Sequence, residues 1–588
     1  MANKFLSNVL YIDLSKKFYH IKKRPELFSK FLGGAGVAIQ LMNENIQKDV
    51  DPLDEGNVIV LAVGPLTPFF PLACKTAAMF KSPLTGNLGE SHCGGRTAVA
   101  IRMAGFGAIV IKGKSSYPIY LDIFNDSIKF KAASMLWGMK KESTATRIIR
   151  NNTKKGKGVR SIMRIGLAGE NMVAYGSVTA ETFRHFGRLG LGAVFGSKNL
   201  KAICIAGDNA YTIEKKSDYR NIYDKIYNIA ARSEVMKKYH DLGTPVNILN
   251  LNKIKGLPTK NMQKGFSEFA DELSGENIAE KYLGKRRACA HCPVGCIHVA
   301  ALRVQHEEQK YFFKTSMIGY DYELIFSLGT MLEITNSFDL LRLIEEVEQV
   351  GVDAMSIGVV LAWATEAFEK GLISEKETDG IKICWGDASV YLKMIAHIAR
   401  CKNDFYTALG KGVDYAASVY GGEDFAMAYG KQEMPGYTTG PANFIGCLIG
   451  SRHCHLDNGG YGLDQTEFIK QGKVTMAAEK ITDVLVKEEA WRQILSSLHV
   501  CFFARGVFTP EIVQEALSSV GIKISIEDLH KRGLDIYKQK YKFKTENGFS
   551  LDGIRIPART FEKGITPVDG WDEKFVRDAL ARAKELLS

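Results

Sequence analysis

No stretch of this chain reaches the roughly 18 uninterrupted apolar residues that a membrane-spanning helix needs. The longest apolar candidate, residues 58–73, is broken by Gly64, Pro65, Pro68 and Pro71. The N-terminus has neither a long apolar segment nor a small-residue cleavage site, so it reads as the start of a folded, cytoplasmic domain. There is no dense basic run and no nucleic-acid-binding motif, so RNA and DNA are not expected partners despite a net charge of +12. That charge is consistent with simple solubility or with a basic docking face for an acidic protein or a phosphorylated ligand. Internal repeats and low-complexity segments are absent. No Walker A or dinucleotide fingerprint stands in a strand–helix context.

What is present is a soluble, globular composition, 46% apolar and 24% charged. At 588 residues the chain is too long for one hydrophobic core. β-branched and aromatic runs bounded by turn residues predict strands at 8–14, 58–63, 108–112, 118–124, 127–132, 163–168 and 202–206. A helix is expected over 25–43. From about residue 211 the period changes to that of helices, at 217–240, 337–349, 355–370, 390–399, 404–419, 474–488, 510–520 and 573–587. The expected fold is α+β: a β-rich domain over 1–210, then two mostly α-helical domains over 211–410 and 411–588.

Eleven cysteines in a chain of this kind point to metal or redox use rather than to a disulfide framework. The sharpest local signal is Cys289-Ala-His-Cys292-Pro-Val-Gly-Cys296. Three thiols spaced this closely can converge on one centre. A cubane cluster takes four Cys thiolates and needs a further ligand from elsewhere. Zinc held by Cys289, Cys292, Cys296 and His298 satisfies the same spacing. Spacing alone leaves both open. Three further segments combine glycine with basic residues, as a backbone approaching a polyanion requires. They are Lys81-Ser-Pro-Leu-Thr-Gly86, Ser91-His-Cys-Gly-Gly-Arg96, and Arg184-His-Phe-Gly-Arg-Leu-Gly-Leu-Gly192 with Gly196-Ser-Lys-Asn-Leu200.

With these motifs in order, the chain resembles the aldehyde:ferredoxin oxidoreductases from about Tyr11 to its C-terminus. The resemblance also rests on GPLTP at 64–68, AGFGAIVIKGKS at 104–115 and GLAGEN at 166–171. It implies a tungsten (or molybdenum) centre on two pterins carried by the β-rich base domain, a Mg2+ joining the pterin phosphates, and a [4Fe–4S] cluster. Cluster ligands would be Cys289, Cys292, Cys296 and, from the distant stretch Ser496-Ser-Leu-His499-Val-Cys501, Cys501. Pterin contacts would come from Glu348, Gly351 and Asp353, and from Val500. Glu348 stands where the family has Asp, Ser496 where it has Asp, and His499 where it has Gly. Lys75 falls where an Arg bridges cluster and pterin, and His92 where an Asn helps bind Mg2+. Gly94 and Gly95, with Arg184, His185 and Gly187, form the loops that meet the cofactor. Glu323 is implied as acid/base, and His455 as the donor to a substrate oxygen, with His453 as its rival. Cys454 could be read as a nucleophile or metal ligand, but the family holds its metal through the pterins. Tyr320, Tyr322, Tyr437 and Phe444 are candidate cavity aromatics. The implied reaction interconverts aldehydes and carboxylates, with ferredoxin or a dedicated iron–sulfur subunit as carrier and an oligomer as the expected assembly. A related metal–pterin enzyme with a non-aldehyde substrate, and a zinc-stabilised binding protein without redox chemistry, are the alternatives.

Overall fold

The computed structural model describes residues 5–139, 142–153, 158–181, 183–213, 216–306 and 309–588. Two six-stranded mixed sheets build the N-terminal third. The first runs Phe18–Lys23, Asn8–Asp13, Ala108–Lys112, Ile59–Ala62, Thr76–Lys81, Leu88–Cys93. The second runs Arg184–Phe186, Val178–Ala180, Arg160–Ile165, Leu200–Ala206, Ile119–Phe124, Ser127–Ala132. Alternate residues of one strand feed different cores, as period-2 geometry dictates. Ile59, Leu61 and Val63 join Ile119, Leu121, Met163 and Ile165 between the sheets. Val58, Val60 and Ala62 face the helices Pro25–Phe31 and Gly34–Asn45. Burial on both faces explains why this strand reads as an unbroken apolar run.

The helix expected at 25–43 is two helices. Leu32 takes φ +66 and Gly34 φ +39, and the Gly34 N–H donates to Val63 O at 3.0 Å. A side chain at Gly33 would start 2.7 Å from that same carbonyl, so the chain bends to let the backbones touch. Similar breaks divide 217–240 at Ser233, which caps Glu234–Asp241, and 404–419 at Gly412, φ +102. The strand expected at 163–168 is Arg160–Ile165, and a short helix, Leu167–Glu170, follows it.

The rest of the chain is mainly helical; most of it shares one large apolar core, and Ile222, Ile226, Leu498, Phe508 and Leu529 belong to a second. The architecture is therefore α+β, with a β-rich base followed by helical layers. Several elements were not foreseen, among them the strands Thr76–Lys81 and Leu88–Cys93 and the helix Pro441–Ile449, and two more bear on the site. A three-stranded antiparallel sheet, Leu283–Arg287, Ile297–His306 and Gln309–Tyr320, follows the helix Gly275–Tyr282. A 21-residue helix, Ile526–Glu546, packs Ile536 and Phe543 against the base domain. Its pattern is masked because its inward face also carries the buried Lys540 and Lys544. Among the described residues no single helix is long and apolar enough to cross a membrane.

Candidate active site

The loop between strands Leu283–Arg287 and Ile297–His306 carries Cys289, Cys292 and Cys296. Its backbone is tied to two distant segments. The Ala290 N–H donates to Gly95 O at 2.9 Å, and the Leu72 N–H donates to His291 O at 3.2 Å. Leu72 O in turn accepts the Cys501 N–H at 3.0 Å. Cys501 is thereby delivered to the loop by the end of helix Ala478–Leu498. His499, which closes that helix, has φ +57, the left-handed conformation that glycine favours. It holds the position by accepting the Ala77 N–H on its Nε2 at 3.0 Å, while its carbonyl accepts the Lys75 N–H at 3.2 Å.

The electrostatics report the same convergence. Burial, then Cys501 and its neighbours, push the Cys292 thiol up to about 12. Burial raises Cys296 to about 11, against the pull of Arg184. Burial disfavours charge on Lys75, yet Cys501 and Cys289 hold its ammonium above the usual range. Gly94 makes room for this contact. A Cβ there would lie 2.9 Å from Cys289 Sγ and 3.1 Å from Lys75 Nζ. One buried thiol was not anticipated: Cys74 hydrogen-bonds Cys289, which lies well below an ordinary thiol for that reason and because Arg184 and Lys75 are near. Nothing in its sequence setting marks it. Among the described residues no group of three or more His, Cys, Asp or Glu is closed tightly enough for a single ion.

Beside this cluster lies a cavity of about 260 Å³. Lys75, His92, Gly94 and Cys296 stand at its cluster end. Arg184, His185 and Gly187 form one wall, and a side chain at Gly187 would meet nothing within 4 Å. Burial, with Arg164 and Arg184, lowers His185 to about 3 and keeps it neutral. Glu348 and Asp353 lie opposite, at the junction of helices Ser337–Val350 and Ala354–Glu369. Burial and the nearby Glu142 push Glu348 up to about 8. Asp353 caps the second helix and accepts from Arg188 Nε at 3.0 Å. Arg188 lay inside the glycine-rich motif but was not singled out. Its Nη2 donates to Glu433 O at 2.6 Å.

Three expected cofactor residues do not face this cavity. Gly351 closes its helix at φ +78 and lies against Gly166, where a Cβ would come within 3.0 Å of the backbone. Gly95 supports the cysteine loop through its carbonyl. Val500 is buried in the apolar cluster with Val294, Leu498 and Phe502.

Buried polar atoms without a protein partner gather on the cavity wall: Ser177 Oγ, Arg184 Nε, Arg188 Nη1, the Tyr320 hydroxyl and Glu323 Oε2. Such atoms are costly unless something hydrogen-bonds them, and this donor-rich set suits a polar, phosphorylated group. His92 is lowered by burial, and its Nε2–H donates to the Glu90 carboxylate, Oε1, 2.8 Å away, which leaves Nδ1 able to ligate a cation.

At the far wall Asp321 caps helix Tyr322–Leu328, whose first turn presents Glu323. Glu323 Oε1 meets His455 Nε2 at 3.1 Å. His455 is 4% exposed, and its Nδ1 lies 3.7 Å from Cys454 Sγ. Burial works against charge on this ring, but Cys454 and Glu323 outweigh it and raise His455 to about 10. Tyr437 packs on the imidazole with centroids 4.8 Å apart, and Tyr322 packs on Tyr437. His453 is turned elsewhere. Its Nδ1 pairs with Cys447 O and its Nε2 with Lys544 Nζ, each at 2.9 Å. Phe444 is core, stacked on Trp571, and does not line the cavity.

Residues 9–207 match the N-terminal domain of aldehyde ferredoxin oxidoreductase, and residues 221–586 match domains 2 and 3 of the same enzyme. The chain belongs to the aldehyde ferredoxin oxidoreductase family. Membership makes it an oxidoreductase. It is 31% identical to the tungsten-containing aldehyde ferredoxin oxidoreductase of Pyrococcus furiosus, covering 92% of this chain and 88% of that protein. The counterpart from Thermococcus kodakarensis gives the same identity and coverage. A Pyrococcus furiosus aliphatic sulfonate oxidoreductase, WOR-like subunit, is 27% identical over 70% of this chain and 66% of its own length. The active site complex BamBC of benzoyl coenzyme A reductase shares the fold at 19% identity, with a TM-score of 0.83 over 99% of this chain and 94% of that one.

Proposed function

We propose that this aldehyde ferredoxin oxidoreductase family member oxidises aldehydes to carboxylic acids, reversibly. The reaction would use a tungsten (or molybdenum) centre on two pterins, with electrons leaving through a [4Fe–4S] cluster to ferredoxin or a dedicated iron–sulfur subunit. The observation that carries this reading is Glu323, which lines a cavity that Lys75 and Cys296 also line and is backed by the buried His455 at 3.1 Å. The overall change is RCHO + H2O → RCOOH + 2H⁺ + 2e⁻. When bound, the metal–pterin group supplies the two-electron acceptor and the iron–sulfur cluster the one-electron relay.

The chain's own residues manage charge and protons. Arg184 and Arg188, each with an unpaired N–H, would hold the phosphates of a bound pterin, and His92 would ligate a Mg2+ there. Lys75, between the thiols and the cavity, would donate to both cofactors. Glu323 Oε2 has no protein partner and is free to take a proton from water or from the hydrated aldehyde. His455 Nε2–H holds the other carboxylate oxygen and keeps the group oriented. Tyr437 and Tyr322 shield the pair from bulk water.

The test is aldehyde-dependent reduction of a viologen dye by anaerobically purified protein. Simple aldehydes are expected to turn over. Failure with aldehydes but turnover of a sulfonate, hydroxy acid or thioester would support the second reading, which keeps the scaffold and changes the substrate. The sulfonate oxidoreductase relative is the observation that favours it. The two histidines separate cleanly in the same assay. His455→Asn is expected to lower turnover by about 10²-fold or more. His453→Asn should keep most activity but lower the melting temperature, because it breaks two buried hydrogen bonds. Equal turnover loss in both variants would remove His455 from its role.

A further inference from the structure

The surface around the cysteine loop is basic on three sides. Strand Leu283–Arg287 forms an edge of its sheet and stops just before Cys289. Its Arg286 and Arg287 are exposed, and so is His291 within the loop. Across the loop, the Ala290–Gly95 hydrogen bond brings up the next residue, exposed Arg96. Arg96 lines a cleft with exposed Arg150 and half-buried Arg160. The third side is helix Glu234–Asp241, docked by the His240 ring on Val294 O at 2.8 Å and showing Lys238 to solvent. The acidic groups here do not offset these cations. Asp241 is paired with Lys237, Glu181 is half-buried against Arg96 and Arg150, and Glu234, at the helix start, also lies near Lys237. Cys289, Cys292 and Cys296 are half-buried residues of the loop at the centre of this ring, beside exposed Ala288 and His291.

We propose that this face docks an acidic protein carrying a one-electron centre, seated over loop 288–296. The proposal rests on the redox reading above and names the surface its carrier uses. A ring of exposed cations steers an acidic partner and orients it, while contributing less to the lifetime of the complex. Each aldehyde oxidised with water releases two protons and two electrons. Two carrier molecules therefore dock here in turn, each reduced by one electron. The loop that carries the three thiols is itself at the surface through Ala288 and His291, so positive charge gathered around it serves electron exit better than it serves a nucleotide or a lipid.

The test uses the holoenzyme, an Arg286→Glu/Arg287→Glu double variant and Arg96→Glu, with an acidic low-potential ferredoxin as probe. Binding is measured by calorimetric titration, which needs no turnover, and then aldehyde-driven reduction of ferredoxin is compared with that of methyl viologen. The wild type should bind ferredoxin more weakly as salt rises. Each variant should raise Kd and the KM for ferredoxin about tenfold or more, with viologen-linked turnover within about twofold of wild type. Variants that bind ferredoxin within about twofold of wild type, or a wild type that does not bind it, would overturn the proposal. So would retention on phosphatidylserine-containing vesicles that exceeds ferredoxin binding and is lost in the same variants. Salt-sensitive ferredoxin binding that the variants lose, in a protein inactive on aldehydes, would count against the substrate and support the docking face.

Discussion

Replacing Glu323 with glutamine is expected to lower aldehyde turnover by about 10²–10⁴-fold while leaving metal content unchanged. The substitution keeps the shape of the side chain. Asp321 accepts the Leu324 N–H at 3.2 Å and still fixes the helix start, so the amide occupies the same space. An amide can bond to His455 but cannot take a proton from water at neutral pH. The pH profile supplies the independent check. Burial opposes charge on His455, and Cys454 and Glu323 together reverse that effect, so the ring stays protonated up to about pH 10. Its proton is lost as pH rises through that value, and turnover that needs the imidazolium falls along this alkaline limb. Removing the Glu323 charge removes one of the two anions that hold the proton. The alkaline limb of the residual activity should therefore begin at lower pH. Steady-state viologen reduction across pH, with metal analysis of each sample, measures both effects. Wild-type turnover in Glu323→Gln would take Glu323 out of the chemistry, and an unmoved alkaline limb would uncouple it from His455.

Glu323 also illustrates what a sequence can and cannot carry. Its setting, Asp321-Tyr-Glu323, looks like any helix start, and only resemblance gave it a role. The contact that matters joins it to His455, far along the chain, and no local pattern encodes that meeting. The elements whose apolar period is undiluted were readable: Glu573–Leu587 and Ser337–Val350 fall within a residue of expectation. The helix Ile526–Glu546 was not, because charged Lys540 and Lys544 turn inward. Lys540 Nζ meets Glu90 Oε2 and Gln493 Oε1 at 2.5 Å, and Lys544 Nζ meets Gly450 O at 3.0 Å. Such buried pairs reverse the rule that charge faces water, and their partners lie in other segments. Arg188 was missed for a related reason. Within a glycine-rich motif it reads as one more phosphate-facing cation, and nothing local shows that the fold also gives it Asp353 as a fixed counter-charge. The left-handed His499 shows the opposite case, in which a departure from the expected glycine has a local compensation, the ring nitrogen that accepts Ala77 N–H.

Cys501→Ala should abolish the four-iron cluster, because it removes one thiolate and changes little else. Alanine keeps the backbone N–H that donates to Leu72 O, and the helix end at His499 stays tied to Lys75 and Ala77. The chain is thus still delivered to the cysteine loop, but with three thiolates at a centre that needs four. Wild-type protein is expected to be brown and to hold about four irons per chain; the variant should be nearly colourless or degraded to a smaller cluster. Lys75 makes the loss visible in a second way. Cys501 heads the groups that keep its buried ammonium charged, so the cluster end of the cavity becomes less able to hold that cation once the thiolate is gone. Cys74 is the rival ligand, since it already touches Cys289. The paired variant Cys74→Ala decides between them. Intact iron in Cys74→Ala with iron lost in Cys501→Ala assigns the fourth ligand to Cys501, and the reverse pattern assigns it to Cys74. One zinc and no iron in anaerobically prepared wild type would replace the relay with a structural site, and the electron path from cavity to surface would then have no carrier along it.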